Sequence, residues 1–199
     1  MIPDEKTLDY FRVIHEHCNT IEFIFDKKNS LYIPLLTTSI DHSLSIHILE
    51  NQKLVVSCLA LARPMIESYL RAMWVKYCLS ENKINEGCTT MHFPTKLEFL
   101  LAEIEKVLPE NDLFSAFKSS VEPLLVNMHD YTHTGIQSIA RQYDDNEYLT
   151  NENCSNEMSE LKKLAVLIVS LSYEELIPYM SNGLPHVYVS KLATELIEL

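Results

Sequence analysis

The sequence predicts an all-α protein, an antiparallel bundle of four to five long helices with shorter accessory helices attached. Three observations carry that expectation. Apolar residues recur every three or four positions along most of the chain, in a composition rich in Leu, Ile, Ala, Glu and Lys. Only 3 glycines occur, Gly87, Gly135 and Gly183, against a usual share of about 7%. That scarcity removes Gly-rich phosphate loops, dinucleotide fingerprints and a supply of hairpin turns, and with them the common nucleotide-binding α/β architectures. Finally, 199 residues suffice to bury a core without disulfides or metals, which predicts a single helical domain over residues 1–199.

The first helix is expected to start at Pro3, where a ring-fixed φ suits the first turn and Asp4 and Glu5 suit the positive end of the dipole. Leu8, Phe11, Ile14, Cys18, Ile21 and Phe25 recur at steps of three and four, so it should run to Asp26–Asn29. A second helix is placed from Pro34 to about Asn51, with Leu36, Ile40, Leu44 and His47 or Ile48 inward and Asp41, His42 and Ser45 on a solvated flank. A third spans Leu54–Leu79. Ser80–Pro94 turns polar and contains Gly87 and Pro94, so it reads as a loop. Thr95-Lys-Leu-Glu98 has the pattern of a capping box opening a helix through Val107, which Pro109–Asp112 ends. Leu113–His129 is again helical, with a kink or break at Pro123. Asp144–Asn156 is a second polar, acidic loop, the best candidate for disorder. Ser159–Tyr179 reads as a long buried helix ended by Asn182–Gly183, and Val189–Leu199 as a short terminal one.

The net charge of -12 argues against a broad basic surface, so a polyanion would have to be met locally. Five cysteines, Cys18, Cys58, Cys78, Cys88 and Cys154, lack close pairing and follow no signal peptide, the pattern of reduced thiols in a cytoplasmic protein. The apolar run near Leu54–Ala62 is too short to span a bilayer, so no membrane partner is expected. No cofactor is expected either.

Chemistry concentrates in two stretches. On the third helix, Arg63, Glu67 and Arg71 stand at i, i+4 and i+8 and share one face, with Trp74 and Cys78 on the same arc. Leu59, Ala62, Ile66, Leu70, Met73 and Tyr77 form an apolar stripe beside them, and Lys76 points away, towards water. A charged trio on a mostly apolar helix faces other protein or a cleft. Pro64 removes a backbone donor there and strains the turn, at about 3 kcal/mol. The plainer alternative is a self-satisfied ladder of surface ion pairs. In the second stretch, Met128-His-Asp-Tyr-Thr-His-Thr-Gly135, His129 and His133 share a helical face. His-x-x-x-His is a common zinc or iron spacing, so a metal site with Glu67 or Glu122 is one reading. The other has both histidines capping a helix end and hydrogen bonding inside the bundle. No His-Glu-x-x-His or Glu-x-x-His accompanies them.

Together, Arg63-Pro-x-x-Glu67-x-x-x-Arg71-x-x-Trp74 and His129-x-x-x-His133-x-Gly135 resemble bacterial all-helical families near the HEPN group, which includes abortive-infection proteins and toxins. The resemblance covers roughly Ile33–Arg141. It implies a HEPN-like antiparallel bundle that often dimerises, with some members acting as metal-independent ribonucleases and others as non-catalytic binding modules. Active HEPN ribonucleases carry Arg four to six residues ahead of His on one helix; here no Arg precedes His129 or His133 at that spacing, and Arg141 follows them. Catalysis would therefore need Arg63 or Arg71 to meet His129 or His133 from another helix, with histidine as general base and acid on a ribose hydroxyl and arginine stabilising the phosphorane.

Two function classes follow. One is a protein that binds or cleaves RNA or a nucleotide through an Arg63, Glu67, Arg71, His129 and His133 cleft, in a stress or phage-defence setting. The other is a non-enzymatic interaction protein whose polar cluster is structural and whose acidic surface meets a basic protein. A homodimer through helix faces is expected in either case.

Overall fold

The computed structural model describes residues 5–22, 26–85, 92–108, 112–133, 135, 139–140, 142–143, 155–181 and 186–197, apart from the side chains of some helical residues, among them His129. Within these the protein is all-helical. Eight α-helices follow in order: α1 (Glu5–Cys18), α2 (Asn29–Asn51), α3 (Val55–Tyr77), the short α4 (Glu81–Asn85), α5 (Leu97–Val107), α6 (Asp112–Thr132), α7 (Ser155–Leu176) and α8 (His186–Ile197), with a 3-10 turn at Ile177–Tyr179. No described helix is long and apolar enough to cross a membrane.

Several boundaries differ from those expected. Helix α1 stops at Cys18, not near Asp26, because Ile21 leaves the helix to form an antiparallel bridge with Met180. The backbone N–H of Glu22 also bonds the carbonyl of Tyr179 at 2.6 Å. Helix α2 starts at Asn29 and carries Pro34 inside it. Asp26 explains the earlier start: its carboxylate accepts the backbone N–H groups of Lys28 and Asn29 at 2.8 and 2.7 Å, satisfying donors that a helix start leaves orphaned. Pro64 and Pro123 likewise sit within unbroken helices, so local propensity yields to packing on neighbouring helices. The expected capping box at Thr95 is not formed: α5 starts at Leu97, and its N-cap, Lys96, makes no side-chain cap bond. Helix α7 begins at Ser155, inside the stretch expected to be loop, and α8 begins at His186. Asn182, Gly183 and the expected loop over 144–154 lie outside the described residues.

The turn joining α2 to α3 has a Schellman geometry. Lys53 takes φ 59°, the left-handed region in which glycine is usual. Its N–H bonds the Glu50 carbonyl at 2.8 Å and that of Leu54 bonds the Leu49 carbonyl at 2.9 Å. The turn sends α3 back antiparallel along α2. Ser39 Oγ donates to the Met65 carbonyl at 2.9 Å and the Cys58 thiol to the Ile46 carbonyl at 3.5 Å, contacts that pin one register along both helices.

Helix α3 is the centre. It packs on α2, α5, α6 and α7, and eleven of its residues, from Cys58 to Val75, are buried. Burial of side chains such as Leu70, Ile66 and Met65 stabilises by about 1.5–3 kcal/mol each. Tyr69 meets Phe117 of α6 edge-on with ring centroids 5.0 Å apart. Nearer the other end of α3, Leu59 and Ala62 share a small cavity with Leu124 and Met128 of α6 and Leu161 of α7. As α3 is followed backwards its neighbours on α6 advance, so these two helices run antiparallel.

Candidate functional site

Helix α3 places Arg63, Glu67 and Arg71 on one half-buried ridge, with side chains 24%, 21% and 28% exposed. Spacing alone brings them together, since each step of four advances little more than one turn. The two pairings are unequal. Arg71 Nη2 donates directly to Glu67 Oε1, whereas Arg63 Nε stands 3.7 Å from Glu67 Oε2, an ion pair beyond hydrogen-bond length. Two guanidinium groups around one carboxylate leave the ridge one positive charge in excess, in a chain of net charge -12.

Phe93 completes this end of the ridge. It lies in the segment ahead of α5 and puts its ring 5.2 Å from the Arg71 guanidinium carbon, a cation–π distance. Trp74, on the same arc of α3, is buried and meets the Phe93 ring edge-on with centroids 6.4 Å apart. Arg71 Nε is buried and has no hydrogen-bond partner among the described residues. A buried unpaired guanidinium donor costs on the order of 1–3 kcal/mol.

Of the two histidines, His129 is on the last turn of α6 and His133 just beyond its end. The antiparallel register sets Tyr69 opposite Phe117 and Ala62 close to Leu124. Arg63 is thus level with about Pro123 and Arg71 with about Ser115. At 1.5 Å per residue, His133 lies about 15 Å along the axis from the level of Arg63 and about 27 Å from that of Arg71. His133 is exposed, in the turn that follows α6, and the His129 side chain falls outside the described residues. The structure therefore brings together Arg63, Glu67 and Arg71 and does not bring His133 to Arg71. The small cavity beside Ala62 and Met128 measures about 60 Å³ and is lined by apolar side chains and Glu157, too small for a nucleotide. Among the described residues no three His, Cys, Asp or Glu side chains gather as metal ligands would. Glu122 is exposed and pairs with Lys118 at 3.6 Å.

At the C-terminal end of α3 lies a second polar cluster. Lys76, expected to reach water, is only 31% exposed and is hydrogen bonded to Glu175 of α7. The Tyr77 hydroxyl donates to the other oxygen of that carboxylate at 3.1 Å. The ammonium also lies over the rings of Tyr32 and Tyr77, at 5.8 and 5.2 Å. Tyr32 donates in turn to the Tyr179 hydroxyl, which reaches Asn29 at 3.4 Å. Burial disfavours the Lys76 ammonium, but hydrogen bonding and attraction to Glu175 outweigh it and raise the pKa. Burial first, and then the charge of Glu175, raise Tyr77. The thiols that are described fit no reactive role: burial pushes Cys58 up to about 11 and Cys18 to about 12.

A family model described as "Family of unknown function (DUF6988)" matches residues 36–178. The chain belongs to DUF6988. No curated protein and no solved structure matches it. The matched span contains the α3 ridge, Phe93, both histidines, Lys76 and Glu175, and leaves α1 and α8 outside. In this DUF6988 chain, residues that sequence reasoning missed are Phe93 and Glu175. Neither had a local signal: Glu175 sits 99 positions from its lysine, and Phe93 meets Arg71 only as a tertiary contact.

Proposed function

We propose that this DUF6988 protein binds RNA or a nucleotide through phosphate contacts at the Arg63–Glu67–Arg71 ridge, within a HEPN-like bundle of four to five long helices, in a bacterial stress or phage-defence setting. The observation that carries the reading is the half-buried ridge of two guanidinium groups around one carboxylate, which keeps one excess positive charge. Arginine presents planar paired donors to phosphate, and the Phe93 ring offers a face on which a base can stack. Arg63, held only by its longer contact, is the first guanidinium available to an incoming anion. The separation between His133 and Arg71 removes one pairing of the two-helix mechanism that the resemblance implied, which supports binding over cleavage. Titration with a short fluorescent RNA and with AMP tests this: Arg63→Ala and Arg71→Ala should each weaken binding by about tenfold, the value of one charge-assisted hydrogen bond. Unchanged binding in both variants would refute it. Cleavage of tRNA by the wild type, lost in His133→Ala, would restore the ribonuclease reading.

The direct Glu67–Arg71 bond and the Phe93 ring over it favour a second reading, an interaction protein whose ridge is structural and whose acidic surface engages a basic protein. Under that reading ridge substitutions change stability and bind no less RNA. In either case we propose a homodimer, with the exposed Ile48, Leu54 and Val56 around the α2–α3 turn as the apolar surface that a second copy would cover. A monomer mass by light scattering at tens of micromolar would exclude it.

A further inference from the structure

A separate cavity of about 330 Å³ opens between α1 and α8, on the two helices that lie outside residues 36–178. Both helices pack on α7, and between them the groove remains open. Each contributes residues at helical i, i+3/i+4 and i+7/i+8 spacing, so the groove runs along about 12 Å of helix. Its volume lies at the lower end of the range for small-molecule sites, about 300–1,000 Å³.

The lining has two parts. Tyr10, Ile14 and Val189 are buried and form an apolar floor, with half-buried Leu192 above them. The rim is charged and exposed: Lys6 and Asp9 on α1, Glu195 on α8. Asp9 is taken by Arg12 at 2.9 Å. Among the described residues Lys6 and Glu195 have no ion-pair partner and do not pair with each other, although they share one rim from opposite walls. Tyr188, half exposed at the same rim, supplies an aromatic face.

We propose that this cavity binds a small zwitterionic molecule with an apolar side chain, of the chemistry of a free aromatic amino acid. The carboxylate goes to Lys6, the ammonium to Glu195 and Tyr188, and the side chain to the floor of Tyr10, Ile14 and Val189. Both heads are exposed, so an uncharged ligand would leave them hydrated and gain nothing from either, and a singly charged one would gain from one of them alone. A zwitterion matches both and fills the apolar floor, which is the pattern of one apolar body fixed by a few convergent polar groups.

The test is calorimetric titration of the full chain with L-phenylalanine, 3-phenylpropionate and 2-phenylethylamine, the last two lacking one charge each. Phenylalanine should bind saturably and at least about tenfold more tightly than either analogue. Glu195→Gln should weaken phenylalanine and leave phenylpropionate unchanged, and Lys6→Met should weaken phenylalanine and leave phenylethylamine unchanged. Both substitutions are on the exposed rim, so folding is retained. Leu192→Trp, checked for helicity by circular dichroism, should abolish binding by filling the cavity. Saturable binding by none of the three compounds, or an analogue binding as tightly as phenylalanine, overturns the proposal.

Discussion

Helix α3 carries two ion-pair clusters built on opposite principles. Its ridge joins Arg63, Glu67 and Arg71 at steps of four on one helix, so the partners meet as soon as the helix forms. Its C-terminal cluster joins Lys76 to Glu175 across 99 positions, so the partners meet only when α7 packs alongside. The ridge faces partly outward and keeps a positive charge over. The Lys76 cluster is matched in charge, with Glu175 15% exposed, and is wrapped by Tyr32, Tyr77 and Tyr179. A local ladder can be opened to a ligand without unfolding the protein. A long-range pair of this kind holds helices together, and losing half of it strands a charge.

That contrast orders the expected effects of mutation. Glu175→Gln should be the most damaging, leaving the Lys76 ammonium half-buried over two aromatic rings. A fully buried pair loses about 3–5 kcal/mol when one partner goes and a surface pair about 1 or less. With Lys76 partly exposed, a loss of about 2–3 kcal/mol is expected in chemical denaturation, and a change below about 1 kcal/mol would make the cluster incidental.

Alkaline titration should read the same cluster. Lys76 and Tyr77 have folded-state pKa values raised above their ordinary ones. On raising the pH, the unfolded chain therefore loses its protons first. Their contribution to stability is fully present at neutral pH and should fall away as pH rises above about 10. In Lys76→Met that fall should be shallower; an identical pH profile for the two proteins would contradict the assignment.

Glu67→Gln keeps the shape of the ridge and removes its anion, leaving Arg63 and Arg71 facing each other's charge. Half-burial places the expected loss between the surface and buried limits, at about 1–2 kcal/mol. If the ridge is an anion site, the same change should tighten RNA binding by raising the local positive charge, which would separate it from a purely structural ladder. The smallest effect on stability belongs to Arg63→Ala, whose 3.7 Å contact should be worth at most about 0.5 kcal/mol. A loss near that of Glu67→Gln would show that Arg63 is as firmly held as Arg71.

What could be read from the sequence follows the same division between local and distant. Helical periodicity located the long helices because an apolar stripe every three or four residues can be buried in only one way. The ridge was legible for the same reason. Helix ends were less so: Pro34, Pro64 and Pro123 suggested starts, kinks or breaks, yet α2, α3 and α6 pass through them. The penalty of about 3 kcal/mol for proline is smaller than the burial that each helix gains along its length. Lys76 does reach water in part, but its pairing with Glu175 was not legible because a helical wheel gives direction without neighbours.

By itself, then, the sequence determined the all-helical class, the positions of the long helices and the grouping of Arg63, Glu67 and Arg71, all of which depend on residues within a few turns of one another. Only the tertiary structure decided that Lys76 meets Glu175, that Phe93 covers Arg71, that His133 stands beyond the end of α6 and away from Arg71, and that α1 and α8 enclose a cavity. Those facts depend on which helix faces lie side by side and in what register. Such contacts arise from packing shape summed over many weak interactions, and no short stretch of sequence encodes them.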